Sequence, residues 1–227
     1  MIIQYWSDFS CPFCYIAEAR LVRAMERMGI RDECRLDFRS FRLNPMAKKV
    51  PSHPIFDSYA KRYGYDMATM QIQRIESMAA DEGLEFHYGT ALNSNTLDAH
   101  RISKLIYSKN RKLGDEFVHR MYRAFFTDNL VLADHELLRS IAIDLGIDGA
   151  EVDGVLESDA FSAEVEKDEF DARRYGVNAV PFFLINGKYG INGAVDISEF
   201  EHVLKAALDE EDSVDATGSV CGPDGCH

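Results

Sequence analysis

Cys11 and Cys14 are separated by Pro12 and Phe13, and a thiol pair at that spacing has a short list of uses. It can exchange with disulfides, hold half of a metal site, or sit inert in a core. The pair opens a stretch whose apolar residues, Ile16, Ala19, Leu21, Val22, Met25 and Met28, recur at helical spacing up to Gly29. Cys11 therefore meets the unpaired N–H groups and the positive dipole end of a helix, which favours a thiolate. Cys14, one turn further in, is placed to attack a mixed disulfide formed at Cys11. Pro12 suits the first helical turn, where a missing N–H costs nothing. Two other readings stay open: four thiolate ligands to zinc from Cys11, Cys14, Cys221 and Cys226, or two buried structural cysteines on one helix face.

The elements that must hold this pair are legible around it. Residues 2–6 are apolar strand formers, and residues 34–41 alternate, with Cys34, Leu36 and Phe38 on one face. Residues 1–41 thus read as a βαβ unit. From about residue 51 to 175 the pattern is helical, with segments near 54–63, 66–82, 96–112, 114–127, 134–145 and 161–175, and a weak strand signal at 84–88. Strands return at 182–185 and 188–191 around Asn186-Gly187, the favoured two-residue hairpin turn, followed by a helix over 197–208. The fold class is α/β. Residues 1–45 and 176–208 form one sheet-bearing domain, 46–175 an all-helical insertion, and 209–227 a flexible acidic tail.

Lys+Arg 25 against Asp+Glu 38 gives a net charge of −13. That field repels phosphate backbones and anionic lipid, so neither nucleic acid nor membrane is expected as a partner. The longest apolar run, 179–185, is far short of the ~20 residues that cross a bilayer. The N-terminus has no basic segment before its apolar stretch, and a soluble cytoplasmic protein is expected. Five cysteines cannot all pair within one chain, and in a reducing compartment close pairs point to redox or metal chemistry.

Cys-Pro-Phe-Cys after a first strand, a large helical insertion, and Val180-Pro181 leading into a hairpin together resemble the thioredoxin-like DsbA family. Ser7-Asp8-Phe9, residues 41–45 (Phe-Arg-Leu-Asn-Pro) and residues 95–101 (Asn-Thr-Leu-Asp-Ala-His-Arg) resemble its cytoplasmic FrnE-like branch. The resemblance spans residues 1–208. It implies a thiol–disulfide oxidoreductase or isomerase acting on protein thiols and disulfides, with Cys11 as nucleophile and Cys14 as resolver. It further implies a cis Pro181 against the sulfurs, and Val180, Pro12 and Phe13 as substrate contacts. No cofactor is implied beyond the redox-active disulfide, with glutathione or another cellular thiol as reductant. Periplasmic relatives usually carry a histidine between the cysteines; Phe13 takes its place here, with Asp8 nearby, and a less oxidising disulfide is expected. The kappa-class glutathione transferases and hydroxychromene carboxylate isomerases resemble the same architecture but generally have serine at the nucleophile position.

Other residues carry weaker signals. Cys34 faces inward and reads as a core thiol. Phe117, Met121 and Phe125 form a stripe suited to core packing or, alternatively, to an apolar groove beside Cys11 that holds unfolded peptide. His100 reads as a structural histidine, and the histidines show no metal-binding spacing. Cys221 and Cys226 flank Gly222-Pro223-Asp224-Gly225, a turn sequence that brings the two sulfurs together. The pair reads as an auxiliary dithiol within reach of Cys11, with zinc held by Cys221, Cys226 and His227 as a rival. A redox-regulated holdase is the alternative to the enzyme.

Overall fold

The structure is a computed structural model that describes residues 1–218, with side chains described through Glu210. Strand β1 (Ile2–Ser7), helix α1 (Pro12–Arg27) and strand β2 (Arg35–Ser40) form the expected βαβ unit, with Tyr5 opposite Phe38 in the parallel pair. Helix α1 ends in a Schellman arrangement: Ile30 N–H reaches the Met25 carbonyl and Gly29 N–H that of Glu26, each at 3.0 Å. Gly29 takes the left-handed φ of 72° that this cap requires.

Strands β3 (Phe182–Ile185) and β4 (Tyr189–Asn192) complete a mixed sheet of order β2-β1-β3-β4, antiparallel except for β1 and β2. Every residue of β3 is buried, which is why it reads as a continuous apolar run. Asn186 and Gly187 both have positive φ, 50° and 68°, the type I′ turn that Asn-Gly favours. Helix α9 (Ile197–Gly218) packs on α1. It continues past Leu208 to Gly218, so the segment read as a flexible tail begins as helix. Cys221, Cys226 and His227 lie outside the described residues.

Between β2 and β3 lie α2 (Ile55–Tyr63), α3 (Tyr65–Asp81), α4 (Leu97–Lys109), α5 (Arg111–Phe126), α6 (His135–Asp144), α7 (Gly149–Leu156) and α8 (Ser162–Arg174). Two readings of this region need correction, and one helix had no counterpart in the sequence reading. The helix expected to reach residue 112 stops at Lys109, because the Asn110 side chain caps α5 by accepting from Lys112 and Leu113 N–H at 2.9 and 3.3 Å. Residues 84–88 form no strand: His87 N–H bonds the Phe126 carbonyl at 2.7 Å, and Phe86 stacks on Phe126. Helix α7 was hidden by its two glycines and its shortness, although Asp148 caps it at Ala150 N–H, 2.8 Å away.

Phe117, Met121 and Phe125 are fully buried, so the stripe is core and lines no groove. Cys34 is buried as expected, at the foot of β2. The insertion is bolted to the sheet through Asp168 on α8, which accepts from Ser40 N–H and Lys104 and offers its carbonyl to Trp6 Nε1.

Candidate active site

Cys11 is the N-cap of α1, with Pro12 at the first helical position. Its sulfur lies 3.7 Å from the Val180 carbonyl oxygen, and the Val180–Pro181 peptide bond is cis. The strand-helix junction and the loop before β3 thus meet at one sulfur. Cys11 and Cys14 are both thiols, and Cys14 N–H bonds the Cys11 carbonyl at 3.1 Å. Burial pushes the Cys14 thiol well above its usual range, and the Cys11 sulfur beside it adds to the rise. Hydrogen bonds from the Ser7 hydroxyl and the Asp8 backbone act in the opposite sense. Ser7 in turn bonds the Tyr122 hydroxyl, so a buried chain of polar atoms runs from Cys14 into the insertion.

Asp8 is buried on the other side of the motif. Burial by itself would raise its carboxyl, but His100 and the Leu43 N–H more than offset this and hold it below the usual carboxylate range. His100 Nε2 stands 3.4 Å from Asp8 Oδ1, and Leu43 N–H reaches Oδ2 at 2.8 Å. The Asp8 charge is thus spent on its own partners rather than facing the thiol alone. His100 is fully buried against Phe9 and Phe38, a structural histidine as read, although its Nδ1 has no partner among the described residues.

Residues 95–101 hold the rim of the site. Asn95 Nδ2 donates to the Pro45 and Ala47 carbonyls at 3.1 and 3.0 Å, and Asp98 accepts from Lys49, Arg101 and His135. That segment therefore fastens the 42–50 loop beside Cys11 to the helical insertion.

Cys11, Pro12, Phe13 and Val180 line a cavity of about 350 Å³ together with Tyr59 and Tyr88. Phe13 is more than a third exposed and, with Tyr59, also walls a second cavity of about 380 Å³ that reaches Arg74 and Met78 on α3. A third, of about 360 Å³, shares Asn44, Ile55, Ser58 and Asn93 with the first. Together they make an open groove along α2, edged by exposed Leu43, Met46 and Val50. Tyr122, Tyr59 and Tyr88 were missed from sequence, and Ser7 entered only as part of the Ser7-Asp8-Phe9 segment, with no link to Cys14. Tyr122 sits one residue beyond Met121 in a core helix, and nothing in the spacing ties it to Cys14.

No group of three metal-ligating side chains occurs among the described residues, and none of their helices is long and apolar enough to cross a membrane.

A thioredoxin-like sheet with a Cys-x-x-Cys pair at the head of its first helix, interrupted by a helical insertion, defines a DsbA-like protein. The chain belongs to the DSBA-like thioredoxin domain family, which it matches over residues 2–205. It is similar to the probable DsbA oxidoreductase SCO1869 from Streptomyces coelicolor: 31% identity, 100% of this chain and 98% of that one, TM-score 0.85. It shares its fold with a 2-hydroxychromene-2-carboxylate isomerase at 16% identity, 96% and 100% coverage and TM-score 0.68. The cytosolic disulfide reductase DsbM from Pseudomonas aeruginosa, solved with GSH, also has this fold: 15% identity, 94% and 99% coverage, TM-score 0.59.

Proposed function

We propose that the chain is a cytoplasmic thiol–disulfide oxidoreductase of the FrnE-like branch that acts on protein disulfides through Cys11 and Cys14. The observation that carries this reading is the asymmetry of the pair. Cys11 opens onto the groove at the positive end of α1, whereas Cys14 lies behind it with its thiol pushed up by burial. In the reducing direction the Cys11 thiolate attacks a substrate disulfide. A Cys11–substrate bond forms and one substrate thiolate leaves. Cys14 then loses its proton and attacks the Cys11 sulfur, releasing the second substrate thiol and leaving Cys11–Cys14 oxidised. A cellular thiol such as glutathione returns the pair to the dithiol. The auxiliary role of Cys221 and Cys226 belongs to the same proposal.

Insulin reduction and scrambled-ribonuclease refolding test it. Cys11→Ser should abolish both, and Cys14→Ser should accumulate mixed disulfides visible by mass spectrometry. Full activity in Cys11→Ser would refute the assignment.

A holdase reading has its own support in the exposed Leu43, Met46 and Val50 that line the groove. It requires suppression of aggregation that survives Cys11→Ser.

A further inference from the structure

The groove holds a second polar cluster that the exchange steps above leave unused. His53 Nε2 lies 2.9 Å from Ser58 Oγ, and its Nδ1 lies 2.8 Å from Ser52 Oγ. Pro51 and Pro54 bracket Ser52 and His53, which restricts the backbone that presents the ring. Ser58 is on the first turns of α2 and lines both the Cys11 cavity and the adjoining cavity that His53 lines. An imidazole therefore stands one hydroxyl away from the space a substrate disulfide must occupy. We propose that Ser58 and His53 form a proton relay for exchange at Cys11, with Ser58 facing the substrate sulfur and His53 positioning and recharging it. This deepens the oxidoreductase reading and rests on it.

The hydrogen-bond inventory sets how the relay works. An imidazolium donates from both nitrogens, so both serine oxygens accept and the Ser58 hydrogen is free to point into the cavity. A neutral ring that keeps its proton on Nδ1 donates to Ser52 and accepts from Ser58, which turns the Ser58 lone pairs toward the cavity. Ser58 is thus a donor when His53 is charged and an acceptor when it is neutral.

In the reducing direction, attack by the Cys11 thiolate forms the Cys11–substrate bond and breaks the substrate S–S bond. The leaving thiolate takes the Ser58 proton, and Ser58 regains one from the His53 imidazolium. In the oxidising direction the acceptor form of Ser58 takes a proton from the attacking substrate thiol and passes it to neutral His53. Electrons move only among the sulfurs in both cases.

The groups facing the relay are few. Among the described residues Lys48 is the only other charged side chain lining the His53 cavity, and Asp57 and Lys61 flank Ser58 on its own helix. Cys11, Tyr59 and Tyr88 line the same cavity as Ser58, and burial, together with Tyr59, holds Tyr88 well above the usual phenol range. Tyr88 is no proton acceptor at neutral pH.

The test compares two disulfides whose leaving thiols differ in acidity, because only a basic leaving thiolate needs a proton. Ser58→Ala and His53→Gln should slow reduction of an alkyl disulfide such as insulin by about tenfold, less than general acids usually give because thiolates leave readily. Reduction of an aryl disulfide, Ellman's reagent, should stay within about twofold, and Ser58→Thr should restore the alkyl rate. The alkyl-to-aryl rate ratio should depend on pH in the parent and be flat in both variants. Iodoacetamide alkylation of Cys11 should follow the same pH curve in all of them. An unchanged alkyl rate, equal slowing of both substrates, or a shifted alkylation curve would each overturn the relay while leaving the oxidoreductase reading intact. Loss of that reading shows separately, as full activity in Cys11→Ser.

Discussion

Ser7 at the end of β1 and Tyr122 in the middle of α5 share a hydrogen bond with both side chains fully buried, and the same serine bonds Cys14. Burial, and then the neighbouring Cys14, push the Tyr122 phenol well above its ordinary value, so it remains a donor at neutral pH. Tyr122→Phe leaves Ser7 with one partner fewer when Cys14 becomes a thiolate. The expected result is slower resolution, read as a larger fraction of trapped mixed disulfide, with about 1 kcal/mol lost in stability. Initial attack by Cys11 should be unaffected.

Asp8 gives a pH signature. Its folded-state pKa is lowered, first against the upward push of burial and then by His100 and Leu43. Its contribution is therefore present above the unfolded value of about 3.9 and is lost as pH falls through the folded value. Asp8→Asn should destabilise the protein by roughly 1–3 kcal/mol at pH 7. Urea unfolding at successive pH values should show that gap closing below about pH 4.

Two glycines predict opposite outcomes. A Cβ on Gly114 would stand 2.4 Å from the Tyr107 ring, whose hydroxyl is tied to Asp115 at 2.9 Å. Gly114→Ala should cost about 1–3 kcal/mol by overpacking the α4–α5 contact. A Cβ on Gly154 in α7 meets nothing within 4 Å, and Gly154→Ala should stabilise by about 0.4–1 kcal/mol. Thermal melts of the two variants decide both.

Phe13 walls two cavities of the groove while its ring makes no stacking contact with another aromatic side chain among the described residues. Phe13→Ala should raise KM for protein disulfides about tenfold with kcat nearly unchanged, the mark of lost uniform binding. A fall in kcat at constant KM would instead place Phe13 in the chemistry.

The sheet, the turn at Asn186-Gly187 and the dithiol were legible because each is a local signal: alternation, a dipeptide with positive φ, two cysteines opening a helical period. The insertion was legible as helix but not as a site. Its contributions, Tyr122 to Cys14 through Ser7, Asn95 to the 42–50 loop, and Tyr59 and Tyr88 to the groove, join residues far apart in the chain, and no spacing rule connects them. Asn110 shows the same limit at short range. Its capping role was hidden because residues 108–112 (Ser-Lys-Asn-Arg-Lys) are polar throughout, so no apolar residue marks where α4 ends and α5 begins.

The strand order has a bearing on biosynthesis. β1 is central, yet its antiparallel partner β3 begins only at Phe182, after the entire insertion has been translated. At roughly 5–20 residues per second, a ribosome needs on the order of ten seconds to travel from β2 to β3. For most of that interval Cys11 and Cys14 have left the exit tunnel while Val180, Pro181 and the antiparallel partner of β1 have not yet emerged. The Cys11–Cys14 pair is therefore made first and sheltered last, and the nascent chain depends on its surroundings to keep those two thiols reduced.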